Sequence, residues 1–475
     1  MSVSELALWE PVVGLEIHVQ LKTRTKMFCR CPTSFAEPEN TRTCPVCLAM
    51  PGALPVPNRR AVEWTVMLGL ALGCRIPPRA VFHRKNYFYP DLPKGYQISQ
   101  YDEPLCVDGR FVVPTESGDL EVGIVRAHLE EDAAKTVHVG GVGGRIVGAG
   151  RSLVDFNRGG TPLVEIVTRP DLRSAEEAKR FLQLLRQTVV ELGISDAEME
   201  KGTLRCDANV SVRRVGEEGY RTRWELKNMN SFTFIGRGIE AAVREQVALH
   251  ELGRPVEQQT FDYDPGTDSL TPHRTKEEAE DYRYFPEPDL VPLEPTPALL
   301  ERLRKELPEL PGARIRRLEA EVGFDTAFAL VTSGRDRLYE RVVAAGAEAR
   351  AAVNVIMNQL AGTGVDPQDV DPVELAKLIE ARERIPRSAF DEAIARMGEP
   401  SFSVEPYLAQ AAISDAAQLE PVVERVLAAS PREVAAYRGG KEGLLGFFVG
   451  RVMRETGGKA NPKVVSDLLR EKLRG

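Results

Sequence analysis

The chain has 475 residues, more than one hydrophobic core usually accommodates, so its length implies two to four domains. Its 43% hydrophobic and 28% charged content lies near the globular average and argues against wholesale disorder or a coiled-coil rod. The net charge of −8 argues against a uniformly nucleic-acid-binding surface, but from Pro431 to Gly475 ten Lys/Arg face five Asp/Glu, so that segment alone is basic.

The N-terminal residues show no basic stretch followed by an apolar one, and nowhere do eighteen apolar residues run together. A cytoplasmic protein with no membrane association is the expectation. Seven cysteines then read as reduced thiols or a metal site better than as a disulfide framework.

In chain order, VVGLEIHVQL alternates strictly: Val13, Leu15, Ile17 and Val19 face one way, and Gly14, Glu16, His18 and Gln20 the other. A strand with an apolar face and a polar face that could hold a ligand follows. Next, Cys29-x-Cys31 and Cys44-x-x-Cys47 present two thiolate pairs across a short, polar, proline-rich segment that could bury little apolar surface alone. Four thiolates suit a structural tetrahedral zinc, with four reduced cysteines in a loop as the other reading. Cys74, Cys106 and Cys206 are isolated and expected to be buried thiols.

Asn58 can cap a helix running to Gly73. Tyr87-Phe88-Tyr89-Pro90, with Tyr96 and Tyr101, could stack on a single-stranded RNA end, although core packing is the better account of at least half of these rings. His128-Leu-Glu-Glu-Asp132 sets three carboxylates in a row, costly unless a cation or basic groups offset the repulsion. Alternation pairs Glu130 with His128 and Glu131 with Leu129 and leaves open which carboxylate points into a site. The glycine-rich stretch 140–150 follows no Rossmann strand and reads as a loop rather than a phosphate cradle.

Asp155-Phe-Asn-Arg-Gly-Gly160 leads into a strand-like run interrupted by Glu165, whose charge inside an apolar strand is either paired or functional. Ser174-Ala-Glu-Glu177 forms a capping box for a helix reaching Gly193, and a third helix is expected over Ile235–Gly253. These elements read α+β, not βαβ. After PEPDLVPLEPTPA the composition turns to helical Ala, Leu, Arg and Glu, and a second break falls at GEPSFSVEP. The expected domains are 1–292, 293–405 and 406–475: a mixed cradle with a zinc clip, a helical middle, and a small helical tail.

Several stretches, in this order, resemble the B subunits of the tRNA-dependent amidotransferases: GLEIHVQL, HRKNYFYPDLPKGYQISQYD, HLEEDAAK, NRGGTPLVEIV, KGTLRCDANVS, ELKNMNSF, DYRYFPEPDL and the terminal GFFVGRVMRETGGKANPKVVSDLL. The resemblance implies that His18, Glu131 and Glu165 hold a catalytic Mg2+, and so selects Glu131. Glu16, Asp207 and Glu225 would neighbour that site. Lys85, Arg205 and Lys227 would contact phosphate or substrate, or be ordinary surface charges. Histidine is an unusual ligand for so hard a cation, which leaves Mn2+ or a water-mediated contact open. The four cysteines match the zinc-bearing members. VNVIMNQL, residues 353–360, departs from relatives that carry a tryptophan there, which bears on local packing.

The implied activity is that of a ligase forming a carbon–nitrogen bond with glutamine as amido donor. ATP phosphorylates the side-chain carboxylate of Glu-tRNA(Gln) or Asp-tRNA(Asn), and ammonia displaces phosphate. The chain carries no GxxxxGK[ST] loop, no GxGxxG turn and no Ser-Ser-Lys amidase signature. ATP would therefore occupy a different cradle, and ammonia would come from a glutaminase A subunit, with a small C subunit completing a heterotrimer. The tail residues Arg451, Arg454, Lys459 and Lys463 could meet tRNA phosphates. A noncatalytic tRNA adaptor and a stand-alone ligase for small carboxylic acids are the rival readings.

Overall fold

The computed structural model describes residues 7–33, 37–141, 148–272, 282–410 and 416–474. Residues 142–147, the centre of the glycine-rich stretch, lie outside them. The described chain is α+β and divides into two compact units, residues 1–314 and 315–475.

The first unit is built on one large sheet. Its strands are β1 (Trp9–Gln20), β4 (Cys106–Thr115), β5 (Gly118–Glu131), β8 (Pro162–Thr168), β9 (Leu204–Arg214), β10 (Trp224–Lys227), β11 (Gln259–Asp264) and β12 (Ser269–Pro272). They lie in the order β12-β11-β10-β9-β1-β8-β5-β4, antiparallel except for the β10/β11 pair. The strands β2 (His83–Asn86) and β3 (Tyr96–Ser99) join β13 (Phe285–Pro286) in a second sheet, and β6 (Lys135–Val139) pairs with β7 (Arg151–Asp155).

The alternation read in β1 holds. Val13, Leu15, Ile17 and Val19 are fully buried, together with Val164 and Ile166 of β8 and Leu204, Cys206, Ala208 and Val210 of β9. Three helices pack on the sheet: α1 (Arg59–Ala71), α2 (Ala175–Glu191) and α3 (Phe232–Glu251). Asn58 caps α1 by accepting from Arg60 and Ala61 N–H groups, and Gly73 follows the helix with φ +67°, a conformation glycine adopts without strain. Ser174 caps α2 by accepting from Glu177 N at 3.1 Å. The reciprocal bond of the box goes one residue further back: Arg173 N donates to Glu177 at 2.6 Å. Helix α3 begins three residues before the expected Ile235 because Ser231 accepts from Phe234 N and adds a turn.

Cys74, Cys106 and Cys206 are buried as expected. Helix α1 approaches β4 closely at Gly69, where an added Cβ would collide with the Cys106 sulfur and lie 2.9 Å from its Cβ. Gly69→Ala is therefore expected to destabilise this unit by about 1–3 kcal/mol through overpacking, read as a lower thermal midpoint.

The first unit extends past the composition change at 293. The helix Pro297–Glu306 belongs to it, and the chain is anchored at its end by Arg314, buried and paired with Glu191 of α2. The second unit is helical. Residues 355–359 of VNVIMNQL form a π-helical turn with Val355 and Ile356 fully buried, while Val353, Asn354 and Asn358 line a cavity. Toward the C-terminus, Leu419, Val423, Val426, Phe448, Val452, Val465, Leu469 and Leu473 gather in a core of their own. Arg451 is engaged there, donating to Ser430 at 2.8 Å and lying over Phe447, whereas Arg454, Lys459 and Lys463 are exposed. No helix among the described residues is long and apolar enough to cross a membrane.

Candidate active site and cysteine centre

The sheet that buries Val13, Leu15, Ile17 and Val19 on one side collects charge on the other. Antiparallel register sets Arg205 of β9, His18 of β1, Glu165 of β8 and His128 of β5 in one row across four strands. In the neighbouring row Asp207 opposes Glu16. Beyond β9, Lys227 of β10 donates to Asp207 at 2.6 Å and lies 3.4 Å from Glu225, which also accepts from Thr260 at 3.0 Å.

The centre of this face is dense with possible ligands. His18 Nε2 lies 3.5 Å from both Glu165 and Glu130, and His128 Nε2 lies 3.6 Å from Glu165. Ligand atoms of Glu16, His18 and Glu165 lie within 4.8 Å of one another, as do those of His128, Glu130 and Glu165. Arg126 approaches Glu165 at 3.7 Å.

Glu131, expected among these ligands, does not share the site: its carboxylate lies 2.6 Å from Lys94 and accepts from Ile98 N at 3.0 Å. The reason for this placement is strand parity. A register shift between Ile124 and Arg126 turns Ala127 and Leu129 into the core, which sends Arg126, His128 and Glu130 to the polar face and Glu131 to the other. Glu130 therefore stands where Glu131 was expected. Arg126 is a residue of this face that nothing in the sequence signalled; His128 and Glu130 belong to one of the two alternations left open, the one with Leu129 in the core.

Burial and mutual repulsion shift the titratable groups on this face. Burial pushes the Glu130 carboxyl up to about 7, reinforced by Glu165. Burial also raises Glu16, with Glu165 adding to it. Burial opposes charge on His18, but its hydrogen bond to Glu165 and the Glu130 carboxylate outweigh this and hold it at about 9. Burial pushes His128 down to about 4, so that ring is neutral, the form a metal binds. On this face the carboxylates stand against the charges of His18, Arg126 and Lys85, and a bound divalent cation would displace protons from Glu130 and His18.

Lys85 belongs to the same site. Burial disfavours its charge, yet Glu130 and Glu165 keep its ammonium well above the usual lysine range, and it lies over the Tyr282 ring at 4.9 Å. Arg205 donates to Asp132 at 3.1 Å, and Arg158 approaches the same carboxylate at 3.6 Å. Of the aromatic strip, Tyr101 stacks on Tyr284 at 4.3 Å and Tyr96 carries the Arg84 guanidinium at 4.4 Å, whereas Phe88 is 92% exposed.

Cys29, Cys31, Cys44 and Cys47 converge with all four sulfurs within 4.8 Å of one another. Cys44 N donates to the Cys47 sulfur at 3.2 Å. A hydrogen bond from Cys29 brings the Cys47 thiol down to about 4 against its burial, with Lys26 assisting, while burial lifts Cys31 to about 11. Four converging sulfurs with a backbone N–H on one of them suit a tetrahedral soft-metal site. A cavity of about 90 Å3 touches Cys29, Cys47, Lys26, Lys94 and Glu131.

Comparison with known proteins accounts for both units. The GatB/GatE catalytic domain matches residues 11–301 and the GatB domain residues 337–473. The aspartyl/glutamyl-tRNA(Asn/Gln) amidotransferase B subunit of Moorella thermoacetica is 48% identical over 98% of this chain and 100% of its own length. The corresponding B subunits of Geobacter sulfurreducens and Anaeromyxobacter dehalogenans (strain 2CP-1) are 47% and 48% identical, each over 98% of this chain and 100% and 99% of their own lengths. With matches of this extent and a polar sheet face built from the same stretches of sequence, the chain belongs to the family of aspartyl/glutamyl-tRNA(Asn/Gln) amidotransferase B subunits.

Proposed function

We propose that this chain is the ATP- and Mg2+-dependent component of a cytoplasmic, glutamine-hydrolysing tRNA amidotransferase. It converts Glu-tRNA(Gln), Asp-tRNA(Asn) or both into the amidated products. The observation that carries this reading is the convergence of Glu16, Glu130, Glu165 and His18 on one sheet face, bordered by Lys85, Arg205 and Lys227.

A side-chain carboxylate does not lose its oxygen to ammonia without activation. The γ-phosphoryl group of ATP passes to that carboxylate, ammonia attacks the acyl carbon, and phosphate leaves with the oxygen. Glu16, Glu130, Glu165 and His18 would hold the Mg2+ that neutralises charge on the transferred phosphoryl group. Holding the ion would require Glu130 and His18 to give up the protons that they otherwise retain. Lys85 balances the phosphate charge from the β2 side, and Lys227, steered by Asp207 and Glu225, does so from β10. The four cysteines hold a structural Zn2+, and the exposed Arg454, Lys459 and Lys463 meet tRNA phosphates.

Partners follow from the same reading: an amidase A subunit releases ammonia from glutamine, and a small C subunit joins the two chains. The test is the three-chain complex with mischarged Glu-tRNA(Gln), ATP, Mg2+ and ammonium chloride, which bypasses the glutaminase. Amidated tRNA formed only with both ATP and Mg2+ is the expected result. A complex that binds tRNA but consumes no ATP would mark this chain as an adaptor.

A further inference from the structure

Lys26 is 1% exposed, one of the largest fully buried side chains among the described residues, and it is a lysine. Its ammonium donates to the Phe156 carbonyl at 3.0 Å and to the Cys47 sulfur at 3.7 Å. A buried ammonium is costly unless an anion offsets it. No carboxylate pairs with Lys26 among the ion pairs of the described residues, and the anion beside it is the cysteine cluster. A tetrahedral centre of four thiolates around Zn2+ carries a formal charge of about −2, itself costly to bury without a counter-charge.

Lys26 also sits where two segments of chain are laced together. The cysteine-bearing loop lies along residues 154–157 through side-chain bonds. Asn40 N donates to Asp155 at 3.0 Å, Asn40 Nδ2 to the Val154 carbonyl at 3.1 Å, and Phe156 N to Asn40 at 2.8 Å. Arg42 N donates to Asn157 at 2.7 Å, and Asn157 Nδ2 to the Pro38 carbonyl at 2.8 Å. Met27 N reaches Gly160 O at 2.7 Å, and Gly160 N reaches Asp132 O at 2.8 Å. The segment so held runs directly into β8 and Glu165, and Gly160 is bound to the residue that ends the His128–Asp132 stretch.

We propose that Lys26 is the counter-charge of the cysteine metal centre and the positioning residue that ties its occupancy to the 154–160 segment. The inference rests on the zinc reading given above and adds to it the buried cation that offsets the charge of the half-buried tetrathiolate. One ammonium serves two bonds: it offsets the charge of the centre, and its bond to the Phe156 carbonyl fixes the loop that delivers Glu165 to the sheet face.

The experiment compares zinc affinity of the wild-type complex and of Lys26→Met, a side chain of similar length without charge. Zinc content is measured by elemental analysis, affinity by competition with a graded series of chelators, and thermal midpoints with and without zinc. Lys26→Met is expected to bind zinc roughly 10–100-fold more weakly, the scale on which groups around a metal's ligands act. Its midpoint should fall further below wild type in the zinc-loaded state than in the stripped state. Lys26→Arg, which keeps the charge, should retain the larger part of the affinity. Equal affinity in wild type and Lys26→Met, or equal losses of midpoint in both states, would overturn the inference and leave Lys26 a packing residue. Wild-type complex without zinc would instead overturn the zinc reading itself. Should Lys26→Met not fold, the uncharged Lys26→Gln gives the same comparison.

Discussion

Glu165→Gln is expected to lower ATP-dependent amidation by roughly 10^3-fold while lowering the thermal midpoint of the chain only modestly. Glu165 is the carboxylate shared by both ligand groups on the polar face, and it faces His18, His128 and Arg126. Glutamine keeps the shape and removes the charge. A bound Mg2+ stabilises the phosphoryl-transfer transition state by several kcal/mol, and each 1.4 kcal/mol or so is a factor of ten in rate, so losing its central ligand amounts to about three decades. Stability should move much less than activity: against its burial, His128, His18 and Lys85 hold the Glu165 carboxyl below its usual range, so these pairings are lost, but removing the charge also relieves the repulsion that raises Glu130 and Glu16. The check pairs initial rates in the ammonium-driven assay with thermal melting. A variant that loses activity only in proportion to a lower midpoint would make Glu165 a structural residue.

The second large effect falls on the cysteine centre. Cys44→Ser together with Cys47→Ser is expected to abolish zinc retention and open the chain between residues 33 and 57 to limited proteolysis. Among the described residues of 22–58, Met27 and Phe28 are the large apolar side chains that are buried, so the segment around the two cysteine pairs depends on its clip. The bonds from Asn40, Arg42 and Pro38 to residues 154–157 carry the disturbance toward β8, and activity should fall roughly tenfold or more. Mass spectrometry of tryptic fragments and the ammonium-driven rate measure the two consequences separately. Protease resistance equal to wild type in the double variant would mean that the loop holds itself.

How much of this was legible in the residues differs from element to element. The two-sided character of β1 was readable because a period of two over eight residues has one solution on a half-buried strand. Helices α1 and α2 were readable because Asn58 and Ser174 are caps with a mechanism. Ser231 is also a cap, but the apolar stripe of α3 becomes regular only at Ile235, so its first turn was missed. The polar face as a whole was not legible. It depends on register among β9, β1, β8 and β5, and no local pattern states which strand lies beside which.

Glu130 and Glu131 show the same limit at a single residue. The resemblance favoured Glu131, and alternation alone left the choice open until Leu129 was known to be in the core. The register shift after Ile124 makes this so: without that extra residue, the parity of Val122 and Ile124 would have carried His128 and Glu130 inward instead. The extent of the first unit, to Arg314 rather than 292, was hidden for a related reason. Composition changes where helices begin, but the anchor is a buried guanidinium pairing with Glu191, 123 residues away.

The most direct test of the site compares Glu130→Gln with Glu131→Gln in the three-chain complex, measuring ATP consumption and amidation against Mg2+ concentration with mischarged tRNA and ammonium chloride. Glu130→Gln is expected to need far more Mg2+ and to lose most of its ATP consumption at saturation, because its carboxylate is among the proposed ligands. Glu131→Gln, which removes the charge paired with Lys94 but leaves an amide oxygen able to accept from Ile98 N, should keep the wild-type Mg2+ requirement for ATP consumption. The reverse, an unchanged Mg2+ requirement in Glu130→Gln and a raised one in Glu131→Gln, would contradict the assignment and move the metal to the other face of β5.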